Sequence, residues 1–184
     1  MKRAVGLPVL LLAAALAAAC SDDVQDIYSS YPAFFRFSPV TAASQLYTAV
    51  SNPGQFCTVT FQNGQYYIFT DTRGTSTSWS VTAQQQYGQP VYISGFIVGT
   101  PAVIDMSGQF PLTAYDLVCP HCNESDYITR PVAFDGETQM TCPRCGSSYD
   151  LNNGGMPVSG PATRTLYRYH VAYSQGTQTL IIQN

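Results

Sequence analysis

The sequence predicts an all-β fold, and three observations carry the prediction. Apolar and polar residues alternate with a period of two through most of the chain after residue 33. Gly and Pro punctuate that alternation at short intervals, as in a β-sandwich or barrel rather than in βαβ units. Thirteen Tyr accompany abundant Ser, Thr and Gln, while charged residues make up only 10%, which suits sheets with a neutral, hydroxyl-rich surface. A chain of 184 residues has room for one well-packed domain and not for two comfortable ones.

In chain order, the first twenty residues, MKRAVGLPVLLLAAALAAAC, read as an export segment. Lys2 and Arg3 form a positive start, residues 4–19 an uncharged apolar run, and small residues precede Cys20. That run contains Pro8 and is short of the roughly 20 residues a spanning helix needs. Nothing on it is amphipathic, which argues against a buried core helix. Leu16-Ala17-Ala18-Ala19-Cys20 resembles a bacterial lipobox, so residues 1–19 are expected to be a lipoprotein signal peptide and Cys20 the lipidated N-terminus. Ser21-Asp22-Asp23 resembles an acidic tether that routes lipoproteins to the cell surface. The expected location is therefore the cell envelope, at the outer membrane with surface exposure, held by acyl chains without crossing it. Residues 20–33 form a lipid-anchored polar leader and residues 34–184 the domain.

Residues 41–50, TAASQLYTAV, form the one short helix expected, with Thr41 or Ser44 as candidate caps and Pro53-Gly54 beyond its end. In CTVTFQNGQYYIFT (57–70), Asn63-Gly64 separates two alternating runs. This is a hairpin signature, because a type I′ turn needs positive φ at both central residues. VYISGFIV (91–98) reads as a further strand, with Gly95 a bulge or kink. TLYRYHVAY and TQTLIIQ, flanking Ser174-Gln175-Gly176, read as a second hairpin.

Six cysteines occur: Cys20, Cys57, Cys119, Cys122, Cys142 and Cys145. Cys57 stands alone at the start of a strand and is expected to be a small buried apolar side chain. The last four form Cys-Pro-His-Cys and Cys-Pro-Arg-Cys. Two short thiolate-bearing loops from separate parts of a chain can close around a soft or borderline metal.

The stretch LTAYDLVCPHC … MTCPRCGSSYDLNNGGMPVSGPATRTLYRYHV resembles the cluster-binding region of the Rieske iron–sulfur family. Cys119-x-His121 falls at the family's first loop. Cys142-x-x-Cys145-Gly146-Ser147 falls where the family has Cys-x-x-His-Gly-Ser. Tyr149-Asp150, Gly154-Gly155 and Gly160-Pro161-Ala162 continue the run, and GFIVGTP (95–101) resembles the strand before the first loop. The resemblance covers roughly residues 90–184. It implies a Rieske-like β-sandwich with a small two-loop metal-binding subdomain at about 117–162. It also implies single-electron transfer to a partner protein through an exposed His121. The departure is Cys145, which stands where the family has its second His. The other histidine, His170, is expected to be an ordinary strand residue.

Three readings of the loops follow, and the leading expectation is the first, a lipid-anchored Rieske-like protein that binds a [2Fe–2S] cluster and passes single electrons. A [2Fe–2S] cluster would take Cys119, His121, Cys142 and Cys145, with a potential lowered by the added thiolate charge, some of which Arg144 would offset. A structural zinc ion would take Cys119, Cys122, Cys142 and Cys145, making the protein a non-redox surface or binding module with His121 only a loop residue. Disulfides between neighbours three apart would close small, strained loops.

Residues 21–184 contain six Arg, no Lys and eleven Asp and Glu, a formal charge of −5, so nucleic acid is an unsuitable partner. No nucleophile elbow, phosphate loop, dinucleotide fingerprint or HExxH helix is present, and no small-molecule substrate is evident. Glu124 and Asp126 read as solvated loop acids, and Phe34-Phe35 and Tyr66-Tyr67 as strand and core residues. The expectation is a protein that is not itself an enzyme.

Overall fold

The computed structural model describes residues 27–81 and 89–184. The export segment (1–19), the lipidation site Cys20 and the acidic tether lie outside the described residues, as does the stretch 82–88. The chain runs through β1 (Phe34–Phe37), a 3-10 turn (Val40–Ala42), helix α1 (Ser44–Ser51), β2 (Gln55–Gln62), β3 (Tyr66–Asp71) and β4 (Ser76–Ser80). It continues through β5 (Phe96–Thr100), β6 (Thr113–Asp116), helix α2 (Pro120–Asp126), β7 (Ala133–Phe134) and β8 (Gln139–Thr141). Last come β9 (Ser148–Asp150), β10 (Met156–Ser159), β11 (Arg168–Ser174) and β12 (Thr179–Gln183). The fold is all-β, as the alternation predicts.

Eight strands form one sheet in the order β1-β12-β11-β6-β5-β2-β3-β4, and the four short strands form a second, β10-β9-β8-β7. The large sheet is an antiparallel half-barrel. Its curl is visible at β11. Arg168 and Tyr169 pair with β6, whereas His170 to Ser174 pair with β12. A strand that hands over between neighbours along its length imposes the stagger that closes barrels. The two edge strands approach across the opening, where Phe37 of β1 meets Trp79 of β4 edge-on at 6.1 Å.

The concave face holds the first core, with Phe35, Phe37, Leu46, Phe69, Phe96, Val98, Tyr169 and Ile182 among its members. Helix α1 closes this face with Leu46 and Ala49. The Thr100 hydroxyl donates to Ala49 O at 3.0 Å, which satisfies a carbonyl near the helix C-terminus. The residue at the helix N-cap is Ala43, without a side-chain cap, so neither Thr41 nor Ser44 has the expected capping role. Asn63 and Gly64 adopt φ of 53° and 66°, as the predicted turn requires. Cys57 is fully buried, and burial raises its thiol pKa. The C-terminal hairpin also forms, turning between Ser174 and Thr179.

The expected strand over 91–98 is shorter than its pattern suggests. Val91 makes a single bridge to Phe34, and the ladder begins only at Phe96. Asp116 is the cause. Its carboxylate, fully buried on β6, accepts from Ile93 N (2.7 Å), Ser94 N (3.0 Å), Val118 N (2.9 Å) and the Tyr169 hydroxyl (3.3 Å). Two donors that would have joined a ladder go to a side chain instead. Gly95, at φ 133°, makes the bend, and a Cβ there would fall 2.8 Å from Val59 O.

Strands β5 and β6 are buried on both faces. From β6 onward, Ala114 and Val118 enter the first core. Tyr115, Leu117 and Cys119 enter a second core on the opposite face, with Ile97, Met140, Cys142, Tyr149, Leu151 and Leu166. The period-two alternation of a strand thus delivers Cys119 to the smaller sheet's side.

Candidate metal centre

The first loop is a helix start. Cys119 is the N-cap of α2 and Pro120 occupies its first turn, where a missing N–H costs nothing. Asn123 N donates to Cys119 O at 3.0 Å. Residues three apart on a helix share a face, so Cys119 and Cys122 look the same way. Tyr127, at φ 55°, ends the helix, and Ile128 N donates to Cys122 O at 3.1 Å.

The second loop is a tight turn between β8 and β9. Cys142 N donates to Ser147 O (2.9 Å) and Gly146 N to Cys142 O (3.0 Å), with Gly146 at φ 73°. Gly160 backs this turn: a Cβ on it would stand 2.5 Å from Ser147 Cα. Ser147 is fully buried, and its Oγ accepts from Ala162 N at 3.1 Å.

The loops bring Cys119, Cys122, Cys142 and Cys145 together, with all four sulfur atoms within 4.8 Å of one another. Cys119 Sγ is 3.7 Å from Cys145 Sγ, and Cys122 Sγ is 3.8 Å from Cys142 Sγ. All four cysteines are free. Both of these approaches run between the loops. His121 is half-exposed and is not part of the group, whereas Cys122 is. His170 lies exposed on β11, its ring stacked on Tyr28 at 3.8 Å.

Two further side chains touch the sulfurs. The buried Tyr149 hydroxyl lies 3.3 Å from Cys119 Sγ. Burial, then the adjacent sulfur, raises the phenol pKa, so it meets a thiolate as a neutral donor. The Cys145 thiol donates to Ser147 Oγ at 3.2 Å; once the sulfur ionises, the hydroxyl turns and donates to it. Burial raises the Cys119 and Cys122 thiols. Burial also acts on Cys145, but hydrogen bonds from the Ser147 hydroxyl and backbone outweigh it, and that thiol falls to about 6. Cys145 is therefore a readier anionic ligand than Cys119 or Cys122.

Charged residues close the rim. Arg144 pairs with Asp126 at 3.1 Å, joining the second loop to the end of α2. Glu124 accepts from Arg164 and from the Tyr167 hydroxyl, both at 2.8 Å. The loop acids are thus engaged by partners rather than merely solvated. Arg144 is likewise committed to a carboxylate at the rim.

The four sulfurs are arranged so that they could bind a metal ion. Four sulfurs at about 2.3 Å from a central zinc stand roughly 3.8 Å apart along tetrahedron edges, close to the Cys119–Cys145 and Cys122–Cys142 approaches. Fold and site together define an all-β protein in which four cysteines, two from the start of α2 and two from the β8–β9 turn, are arranged so that they could bind a metal ion. No family model matches the chain, and no curated protein matches it.

Proposed function

We propose that the protein is a lipid-anchored envelope module in which one zinc ion, bound by Cys119, Cys122, Cys142 and Cys145, fastens the two-loop subdomain to the half-barrel. The observation that carries this reading is the convergence of four sulfurs within 4.8 Å, with Cys122 in the group and His121 outside it. The ion's role is structural: between α2 and the second cysteine pair the chain holds only the short strands β7 and β8, and metal binding supplies folding free energy to such segments. The module performs no catalysis of its own and works as a binding or structural surface. Its membrane attachment through Cys20 rests on the lipobox-like sequence.

The Rieske-like frame, Cys119-x-His121 with Cys142-x-x-Cys145-Gly146-Ser147, favours a second reading. There a [2Fe–2S] cluster on Cys119, His121, Cys142 and Cys145 passes single electrons to a partner protein. Metal analysis with a visible spectrum on anaerobically purified protein separates the two readings. One equivalent of zinc in a colourless protein supports the first. Two irons with inorganic sulfide and a visible absorption band overturn it. Membrane fractionation of Cys20→Ala tests the anchor, with release into the soluble fraction expected.

A further inference from the structure

We infer that the groove on the outer face of β11 and β12 is a binding site for a small organic carboxylate. The inference depends on neither the metal nor the anchor. The sheet opens at this groove because β6 is short. Asp116 N donates to Tyr167 O, on the β6 side of β11, and Ser29 N to Arg168 O, on the opposite side. Backbone groups along a strand alternate between its two neighbours, so those of Tyr169 and Val171 face β6. The β6–β11 ladder ends at the pair Tyr169–Ala114, and no residue of β6 stands opposite Val171. Among the described residues the Val171 N–H and C=O therefore have no ladder partner on that side. The groove at the opening has a volume of about 220 Å³, below the roughly 300–1,000 Å³ of pockets for drug-sized ligands.

The lining selects an anion with an apolar body. Arg168, half-buried, takes the outer face because its neighbour Tyr169 belongs to the first core. Among the described residues Arg168 pairs with no carboxylate, and no acidic side chain lines the groove. The guanidinium lies 5.5 Å from the centre of the Tyr28 ring, which itself stacks on His170 at 3.8 Å. That contact orients the guanidinium without using its N–H donors. The Gln183 amide and the Val171 N–H add donors beside it, while Leu112, Ala172 and Ile181 supply an apolar wall. A carboxylate fits a guanidinium fork through two parallel hydrogen bonds, and a hydrocarbon body against the wall gains by leaving water. Inorganic phosphate has no such body and would leave the wall wet. Residues 21–184 carry a formal charge of −5, so a cation left without a carboxylate is a place of charge complementarity for a ligand's own.

The test follows the Val171 amide by NMR in isotopically labelled protein titrated with benzoate, butyrate and inorganic phosphate at constant ionic strength. Expected is a saturable shift of the Val171 resonance with the carboxylates and none with phosphate. Arg168→Gln should weaken benzoate binding about tenfold or more, the effect of losing a charge-assisted hydrogen bond. Ala172→Leu, at an exposed position, keeps the charge and fills the groove, and it should weaken binding as well. This second variant decides the matter if Arg168→Gln unsettles the fold. No saturable shift at Val171 with either carboxylate overturns the inference. An equal response to phosphate also overturns it, assigning the groove to simple anion retention. So does an affinity unchanged in both variants. Shifts at residues 142–147 without one at Val171 would place the ligand at the sulfur centre and overturn it too.

Discussion

Replacing the two neighbours His121 and Cys122 one at a time gives opposite outcomes under the two ligand sets. Structural zinc contributes about 10–16 kcal/mol at neutral pH in small zinc domains. Shared over four ligands, that is roughly 2.5–4 kcal/mol for each thiolate, or about a hundred- to a thousandfold in metal affinity. Cys122 is fully buried, with its sulfur 3.8 Å from that of Cys142. Cys122→Ser therefore loses a ligand and leaves a buried hydroxyl, which adds about 1–3 kcal/mol of desolvation. His121 is half-exposed and outside the sulfur group, so His121→Ala falls within the roughly 0.5 kcal/mol of ordinary surface changes. Competition against a graded series of chelators, with metal content and thermal melting measured on the same samples, reads both effects. Retention of metal by Cys122→Ser together with its loss from His121→Ala would refute the four-cysteine centre.

Three further outcomes are expected. Gly160→Ala places a methyl group 2.5 Å from Ser147 Cα at φ 82°. Left-handed strain of about 1–2 kcal/mol and overpacking of about 1–3 kcal/mol should lower stability by at least about 2 kcal/mol in chemical denaturation and weaken the metal, and an unchanged midpoint would contradict this. Asp116→Ala strands three backbone N–H donors and the Tyr169 hydroxyl. The expected loss is about 4 kcal/mol, with amide exchange accelerated at Ile93 and Ser94 if the carboxylate pins that segment. Acidification should release the ion. Burial raises the Cys119 and Cys122 thiols, so protons compete for these sulfurs before they compete for Cys145, lowered to about 6. Occupancy then falls as pH falls, and a metal-sensitive dye that reports no release on acidification would count against thiolate ligation.

Much of the fold was legible because it depends on neighbouring residues. Asn63-Gly64 specifies its turn through local backbone freedom, and the alternation around it specifies two strands whose side chains need opposite environments. The two Cys-Pro-x-Cys loops were legible as a metal site for a similar reason, since their spacing is itself the signature. What escaped depends on contacts between distant segments. Nothing near residues 91–98 announces that Asp116 will capture two of their backbone donors. The choice between His121 and Cys122 needed the local conformation of the first loop. In an extended loop, Cys119 and a residue two positions on share a side; on a helix, residues three apart do so. Cys119 as N-cap followed by Pro120 is a helix start, and recognising it would have placed Cys122 in the sulfur group. Tyr149 and Ser147 stand in the Rieske-like run, but their roles as sulfur partners required the register that pairs β8 with β9.

The segment from Thr113 to Cys119 serves two interiors at once, sending Ala114 and Val118 one way and Tyr115, Leu117 and Cys119 the other. Its length therefore obeys a parity rule. Removing or inserting a single residue between Thr113 and Val118 would exchange the two sets, turning Cys119 towards the barrel and a valine towards the sulfurs. Two residues could be gained or lost with the facing preserved. The loop that precedes the segment is under no such restriction, so variation in chain length should be tolerated before Thr113 and, after it, only in even steps.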